Sequence, residues 1–242
     1  MSSLGKYFIF LASLFRNKEP LRTYPKLILD EMIIIGTESF FLVAIVSSFI
    51  GAVTAIQSAH NLVSPFVPSY VIGTIVRDMT VLELAPTFTC VVLSGKVGSS
   101  IAGGLGTMRI TEQIDALEVM GVNSASYLVL PKIIAALITF PMLVILAGFL
   151  SLFGGYLAGT LSGALTETEY IYGIRYLFSS FNITFALIKA FVFAFLISSI
   201  SSYKGYYTRG GSLEVGRAST EAVTNSCIAV LLADYGLAEL LL

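Results

Sequence analysis

The sequence predicts an all-α integral membrane protein with five transmembrane helices, and two observations support this fold class. Of the 242 residues, 56% are hydrophobic and only 12% are charged, and the mean hydropathy is +0.87. A soluble domain usually carries about 25% charged residues, so this chain has too few charges to cover a surface in water. No Asp, Glu, Lys or Arg occurs in residues 39–76 or 133–166. Each stretch exceeds the ~20 residues that cross a hydrocarbon core.

The chain begins with a short apolar stretch that we predict to be an interfacial helix within residues 1–28. Phe8, Leu11 and Phe15 recur at helical spacing. A signal peptide is the alternative, but the apolar stretch is short and runs into a charged segment without a small-residue cleavage site. An amphipathic helix lying on the cytoplasmic leaflet is therefore favoured.

Five further apolar runs are predicted to cross the membrane, each as a helix because backbone polar groups in lipid must be satisfied within the segment. They are residues 32–60, 68–104, 133–163, 182–203 and 222–242. The third run contains Gly155, Gly159 and Gly163, a spacing that predicts close helix packing. All the helices belong to one domain over residues 1–242.

Basic residues predict the orientation of the chain. They lie before the first span and in the connections after the second and fourth spans: Lys6, Arg16, Lys18, Arg22, Lys26, Arg109, Lys132, Lys204, Arg209 and Arg217. The other two connections hold one basic residue, Arg175. Because basic loops stay in the cytoplasm, the N-terminus is predicted to be cytoplasmic and the C-terminus periplasmic.

The connection after the second span is predicted to form a short amphipathic helix at residues 108–121. Thr111 is a plausible N-cap, and Gly121 can end the helix in the left-handed conformation. One face carries an apolar stripe of Ile110, Ile114, Leu117 and Gly121. The segment is either an interfacial linker or a docking helix for a cytoplasmic partner.

Other classes of site find little support in the sequence. A phosphate-binding loop around Lys96 is rejected, because Val97 follows the lysine and Cys90 replaces the first required glycine. His60 is the only histidine, so a metal site is not expected, and Cys90 and Cys227 are interpreted as small hydrophobic residues. The net charge of −1 gives no reason to expect a nucleic acid partner.

Three charged residues, Glu83, Lys189 and Asp234, lie inside predicted spans. An ionised group at mid-bilayer costs about 3 kcal/mol, so such residues usually face a partner or a wet cavity. One interpretation is a buried pair of Lys189 with one of the two acids that locks helices together. The other is a polar patch along a substrate path, which is favoured for Glu83 because Pro86 kinks the helix beside it and frees a backbone carbonyl.

Residues 83–123 resemble the signature region of the MlaE family of ABC-transporter permeases. They read ELAPTFTCVVLSGKVGSSIAGGLGTMRITEQIDALEVMGVN and contain the family's E-L-G-P-like turn, its G-R-x-G-S-like segment and its M-x-x-T-E-Q block. The chain departs from the family pattern at three positions. Ala85 replaces the usual Gly, Lys96 stands where Arg is common, and Leu82 occupies a position that is often Arg.

The resemblance implies a permease subunit that carries no cofactor and no catalytic activity of its own. Such proteins form a homodimer, bind a separate cytoplasmic ATPase that holds ATP and Mg²⁺, and lie beneath a periplasmic MCE-domain protein. The complex moves phospholipids between the inner membrane and the cell envelope and maintains outer-membrane lipid asymmetry. Because no Ser/Arg-rich transit peptide is apparent, a Gram-negative bacterial inner membrane is expected.

The resemblance also implies roles for individual residues. Candidates for lining a lipid cavity between the two subunits are Thr54, Asn61, Leu62 and Glu83. Lys189 and Asp234 match intramembrane charged positions of the family. The residues expected to couple to the ATPase are Thr111, Glu112, Gln113, Asp115, Leu117 and Glu118.

Two other functions compete with a lipid permease. An ion-coupled secondary transporter would use Glu83, Lys189 and Asp234 as a relay, but such carriers usually contain inverted repeats, and the sequence shows none. An intramembrane enzyme acting on lipid would need a nucleophile beside a base, and no convincing pair is present.

Overall fold

A computed structural model describes residues 3–14, 24–62 and 68–241, and this part of the chain forms eight helices and no strand. They are α1 (Ser3–Leu14), α2 (Tyr24–Asn61), α3 (Tyr70–Ile110), α4 (Gln113–Val119), α5 (Ser124–Leu161), α6 (Glu167–Arg175), α7 (Ser180–Tyr206) and α8 (Ser212–Leu241). Within the described ranges, five helices are long and apolar enough to cross a membrane: α2, α3, α5, α7 and α8. The predicted fold class is therefore confirmed.

The crossing helices are longer than the predicted spans, mainly at one end of the bundle. Helix α2 begins at Tyr24 rather than residue 32, and α5 begins at Ser124 rather than residue 133. A helix of 38 residues is about 57 Å long, whereas the hydrocarbon core is ~30 Å thick. Charge gaps locate the segment in hydrocarbon, but the helical hydrogen bonds continue into the polar region beyond it.

The first helix packs against the bundle through Phe10 and Leu14 rather than through the predicted stripe that begins at Phe8, and its place at the membrane interface stays a prediction. Phe10 is fully buried and packs against the rings of Tyr203 and Tyr206 at the end of α7, with ring centroids 5.6 and 5.5 Å apart. Phe8 and Ile9 point outward and are exposed. Residues 15–23 of the predicted helix, which include three of the basic residues used to predict orientation, lie outside the described residues.

Helices α2 and α5 form the most extensive contact, and glycines bring their backbones together. A Cβ atom at Gly51 would overlap the carbonyl of Ser151, and one at Gly154 would overlap the carbonyl of Ser48. Gly155 belongs to the same contact. The other two glycines predicted to pack closely do not: Gly159 makes only an ordinary contact with Leu165, and Gly163 lies beyond α5 with a φ of +71° and open space around it. That part of the prediction was wrong for Gly163 because the glycine spacing continues past the end of α5, and for Gly159 because it faces the connection to α6 rather than another crossing helix.

Helix α3 is continuous but contains two π-helical segments, Thr80–Phe88 and Ser94–Gly98. Pro86 lies in the first and has no N–H to donate to the helix. Such π-bulges rotate the following residues around the helix axis and are frequent at functional sites. They determine which side chains of α3 face α7 and α8.

The bundle has two distinct ends. Helix α3 ends and α5 begins on either side of α4, and we call this the α4 end. The hydroxyls of Tyr24 and Ser126 are 2.8 Å apart there, which joins the starts of α2 and α5. Antiparallel succession of the five helices then places the start of α8 at the α4 end and its last residues at the opposite end.

Helix α8 is the least covered of the crossing helices. Its buried residues are Ala222, Ser226 and Val230, which lie one helical turn apart on a single face. Large apolar side chains on the remaining surface are exposed, including Leu232 and Tyr235. Helix α8 therefore presents a broad apolar face away from the bundle.

Candidate functional site

The three predicted intramembrane charges meet at one point between α3, α7 and α8. The ammonium Nζ of Lys189 lies 2.8 Å from Oε1 of Glu83 and 2.7 Å from Oδ1 of Asp234. Lys189 is fully buried. At 1.5 Å per residue it lies roughly 14 Å along α7 from Ser180, well inside the membrane-crossing segment. The structure thus joins the lysine to both acids, whereas the sequence-based pairing considered only one of them.

A backbone carbonyl provides the third acceptor for Lys189. Nζ lies 3.1 Å from the carbonyl oxygen of Leu82, which belongs to the first π-helical segment of α3. An ammonium has three N–H donors, and here each of them has an acceptor. The ring of Phe185, with its centroid 4.7 Å from Nζ, adds a favourable cation–π contact. Lys189 is therefore a fully satisfied buried cation.

The two carboxylates lie at the edge of this cluster and are linked by a hydroxyl. Thr87 Oγ1 is 3.1 Å from Oε2 of Glu83 and 2.9 Å from Oδ1 of Asp234. A hydroxyl has one proton, so it can donate fully to only one of these oxygens at a time. The side chain of Glu83 is 47% exposed and that of Asp234 is 19% exposed. Lys189 thus anchors a polar patch that opens at the surface between α3 and α8, and we call these four residues the Lys189 cluster.

The other predicted cavity residues lie apart from this cluster. Thr54 donates a hydrogen bond to the carbonyl of Ile50 in its own helix, 2.8 Å away. Asn61 is exposed at the end of α2, and Leu62 packs against a separate hydrophobic cluster around Tyr170. In the part of the chain that the structure describes, no hydrogen bond or ion pair connects these three residues to the Lys189 cluster.

Thr87 is the site residue that the sequence reasoning missed. It lies four residues after Glu83, a spacing that places two side chains on the same face of a helix. Thr87 also directly follows Pro86, in the segment that the sequence analysis had singled out for Glu83 and the proline. These two features could have identified it. The contact of Lys189 with the Leu82 carbonyl could not be predicted from the sequence, because it depends on how α7 packs against α3.

The predicted coupling segment forms a shorter helix than expected, and its start was predicted wrongly. Helix α4 covers Gln113–Val119. Thr111 is not its N-cap: its hydroxyl donates to the carbonyl of Thr107, 2.8 Å away, at the end of α3. Glu112 precedes α4 in the left-handed conformation with a φ of +59°. Gly121 has a φ of +82°, as predicted for the residue that ends the helix.

The apolar stripe of this segment faces the bundle. Ile114 is fully buried, and Leu117 is half-buried. The outward apolar residues are Val119 and Met120, which are 89% and 69% exposed. Sequence reasoning missed these two because they fall outside the stripe. Glu112, Gln113 and Asp115 are exposed on the same short segment.

Polar contacts tie α4 to the ends of three crossing helices. Oε1 of Glu118 accepts hydrogen bonds from Ser124 Oγ at 2.7 Å and from the hydroxyl of Tyr206 at 3.0 Å. Arg109 pairs with Asp115 at 2.7 Å. A displacement of α4 would therefore act directly on the ends of α3, α5 and α7.

At the opposite end of the bundle, Arg77 holds the connection between α6 and α7. This buried guanidinium donates to the carbonyls of Ile174 at 3.0 Å and Tyr176 at 2.6 Å, and it pairs with Asp78 at 2.9 Å. Because backbone carbonyls satisfy it, Arg77 is explained by structure. It is not part of the Lys189 cluster.

Helix α6, at the same end, begins with a capping box. The backbone N–H and hydroxyl of Thr166 both donate to the carboxylate of Glu169, and the Thr166 oxygen caps the N–H of Glu169. Hydrogen bonds from Thr166 hold the pKa of Glu169 below its usual value. This contact contributes to the stability of the connection rather than to the candidate site.

Comparisons with known proteins support an assignment of the whole fold. The sequence model of the family described as "Permease MlaE" matches residues 28–240. A "Probable ABC transporter permease protein" of Rickettsia bellii is 40% identical over 240 residues, which cover 98% of this chain and 92% of that protein. "Intermembrane phospholipid transport system permease protein MlaE" of Haemophilus influenzae is 27% identical over 234 residues, 96% of this chain and 89% of that protein.

A plant protein is also similar over most of this chain. "Protein TRIGALACTOSYLDIACYLGLYCEROL 1, chloroplastic" of Arabidopsis thaliana is 30% identical over 212 residues, which cover 84% of this chain and 58% of that protein. The match to the family model includes nearly all of the five crossing helices, all of α4 and every member of the Lys189 cluster.

Proposed function

The chain belongs to the MlaE family of ABC-transporter permeases, and on this premise we propose that it moves phospholipids between the inner membrane and the cell envelope. The name of the Haemophilus influenzae relative supports phospholipid as the substrate. In this proposal the chain is the membrane subunit of a transporter that maintains outer-membrane lipid asymmetry in a Gram-negative bacterium.

The observation that carries the proposal is the partial exposure of Glu83 on a helix inside the membrane. A carboxylate facing lipid tails is costly, so the patch must face a partner or a cavity that contains water or polar groups. A lipid path supplies such a surface, because a transported phospholipid brings a polar head group into the membrane. The buried Lys189 fixes the acids at the edge of that path.

We propose that a second copy of the chain completes the cavity. Helix α8 exposes a broad apolar face beside the Lys189 cluster, and closed twofold dimers are the commonest way to cover such a face. Thr54, Asn61 and Leu62 remain candidates for the lining in this dimer, because contacts across the interface could bring α2 near the cluster.

A separate ABC ATPase is proposed to bind at α4 and to hold ATP and Mg²⁺. The exposed Val119 and Met120 offer it an apolar contact, and Glu112 and Gln113 offer polar ones. Movement of α4 would reach the crossing helices through Glu118.

The orientation follows from the basic residues at the α4 end, where Lys204 and Arg209 lie. We propose that this end is cytoplasmic and that the C-terminus is periplasmic. An MCE-domain protein would then contact the opposite end of the bundle.

Substitution of Glu83 tests the proposal. The variant E83Q keeps the size of the side chain but removes its charge, and Asp30→Asn, at an exposed acid near the start of α2, is the charge-matched control. We expect E83Q to lower phospholipid transfer by the reconstituted complex at least tenfold at equal protein abundance, with D30N unchanged. If abundance falls in proportion to transfer, Glu83 is only structural and the proposed role is wrong.

A further inference from the structure

A second polar site lies between α2, α3 and α5, away from the Lys189 cluster. It is a cavity of about 160 Å³ lined by two acidic and two basic side chains together with two serines. These residues are Glu31, Glu38, Ser39, Lys96, Ser100 and Lys132. The Lys189 cluster shares no residue with this cavity, so the two sites can be tested independently.

The polar groups of the cavity are only partly satisfied within the chain. Lys132 forms an ion pair with Glu31. Lys96 and Glu38 have no ion-pair partner among the residues that the structure describes. The hydroxyl of Ser39 is fully buried and has no hydrogen-bond partner in the same part of the chain. A buried polar group of this kind normally has a partner. Four serine hydroxyls of the described residues lack one, and the hydroxyl of Ser39 is the one among them that belongs to the lining of this cavity, so it is available to a ligand there.

The cavity lies where the charge-free segments begin. Ser39 is the first residue of the charge-free part of α2, and Lys132 directly precedes the charge-free part of α5. The site is therefore at the hydrocarbon boundary on the α4 side, the depth at which lipid head groups lie. Lysine side chains at this depth extend their ammonium groups toward head groups.

The charges of the cavity match a ligand that carries both signs. Lys96 offers a cation for a phosphate, the Ser39 hydroxyl offers a further donor, and Glu38 offers an anion for an ammonium group. Free inorganic phosphate would leave Glu38 unpaired, and a simple cation would leave Lys96 unpaired. A zwitterionic group satisfies both residues at once.

We propose that this cavity binds the zwitterionic head group of a phospholipid in the leaflet on the α4 side. Phosphate contacts Lys96 and Ser39, and the ammonium group contacts Glu38. The inference rests on the proposed function for its choice of phospholipid as ligand, and it adds a separate head-group site at the opposite depth from the Lys189 cluster. A phospholipid of this leaflet would then bind with its head group in the cavity between α2, α3 and α5.

The chain contains no tryptophan, so a single introduced one can report on this cavity. The variant I34W places the reporter at the cavity wall, and F41W places it on an exposed part of α2 that does not line the cavity. The purified full chain would be held in detergent micelles, and head-group spin-labelled phosphatidylcholine added to them would quench the tryptophan fluorescence of both variants. We expect half-maximal quenching of I34W at a lipid fraction at least tenfold lower than for F41W.

Charge substitutions in the I34W background test the assigned contacts. K96Q should raise the lipid fraction at half-maximal quenching at least tenfold. K96R keeps the charge, so its half-maximal lipid fraction should stay within twofold of that of I34W alone, and this variant controls for folding. E38Q should reduce competition by unlabelled phosphatidylethanolamine at least fivefold and leave competition by phosphatidylglycerol unchanged. K204Q, which removes a lysine far from the cavity, should have no effect. Equal quenching in K96Q, E38Q and K204Q would overturn the proposal.

Soluble competitors distinguish a head-group site from a phosphate site. Glycerophosphoethanolamine should relieve the quenching of I34W, and inorganic phosphate at equal concentration should not. Equal relief by both would show a simple anion site and would overturn the proposal. Because binding is measured without ATPase or transport, charge-selective binding in a chain that fails to transport lipid would contradict the proposed function alone.

Discussion

The ammonium of Lys189 donates a hydrogen bond to the backbone carbonyl of Leu82, 3.1 Å away in another helix. Leu82 lies in the π-helical segment Thr80–Phe88 that contains Pro86, so the lysine contacts α3 where its backbone hydrogen bonding departs from that of an α-helix. The π-helical segment and the buried charge are therefore parts of one arrangement. Its result is a fixed cation that holds Glu83 and Asp234 at the surface between α3 and α8.

Removal of the lysine should destabilise the protein strongly. In K189M the two carboxylates stay close together without a cation, and breaking a buried ion pair typically costs about 3–5 kcal/mol. We expect a large fall in the thermal unfolding midpoint of the purified protein in detergent. The triple variant K189M/E83Q/D234N should recover most of that loss, because it leaves no unpaired charge. A midpoint of K189M equal to that of the wild type would show that the cluster contributes little to stability.

The exposed apolar residues beside α4 should control binding of the ATPase. V119D and M120D place a charge on the outward surface, so each should abolish co-purification of the ATPase while the thermal midpoint changes little. L117D places a charge against the bundle and should lower the thermal midpoint as well. Quantitative pull-down from membranes with equal permease content measures the binding. Normal recovery of the ATPase with both V119D and M120D would remove α4 as its docking site.

Glycine at the contact of α2 and α5 should be required for folding. In G51A the new methyl group meets the backbone of Ser151, which cannot move away as a flexible side chain could. We expect a loss of several kcal/mol, beyond the usual range of about 0.5–3 kcal/mol for single substitutions. The matched control is G104A in α3, where no atom lies within 4 Å of the added Cβ.

In the control, the gain of helix propensity should make stability equal or higher by up to about 1 kcal/mol. Denaturant unfolding of both variants in the same detergent makes the comparison. A similar stability for G51A and G104A would mean that α2 and α5 do not pack as closely as described.

The capping box of α6 should make the connection to α7 sensitive to acid. Because the pKa of Glu169 is lowered in the folded state, its contribution to stability is present at pH values above the ordinary carboxyl pKa of ~4.3. It is lost as the pH falls from there through the lowered value. The protection factors of the α6 amides, which are corrected for the intrinsic pH dependence of exchange, should therefore fall over this range in the wild type. In E169Q the protection factors should be lower at neutral pH and should lack this acid-dependent step. The same acid-dependent fall in E169Q would assign it to another group.

The class of the candidate site could be predicted from the sequence, but its detailed geometry could not. Glu83, Lys189 and Asp234 stood out because charges in hydrocarbon need partners, and one cation between two acids leaves few arrangements. The spacing of Glu83 and Thr87 signalled that these two side chains share a face of α3, but the contact of the same hydroxyl with Asp234 depends on how α3 and α8 pack. No periodicity in the sequence specifies that packing.

Composition likewise predicted which helices exist, whereas their ends and buried faces depend on packing. Charge gaps identified all five crossing helices, but they placed the start of α5 nine residues late because a helix continues beyond hydrocarbon. An amphipathic stripe located α4 but did not show whether Leu117 faces the bundle or a partner. Only the positions of neighbouring helices decide that question.

The most direct test of the central claim is the energy requirement for phospholipid transfer. The purified chain, its ATPase and fluorescent phospholipid would be reconstituted in vesicles, and transfer to an acceptor would be measured with ATP or with a proton gradient. We predict transfer that requires ATP hydrolysis, stops with a non-hydrolysable analogue and is unaffected by the gradient. Full transfer by the chain alone in a proton gradient, without ATP or ATPase, would contradict the account and favour an ion-coupled carrier.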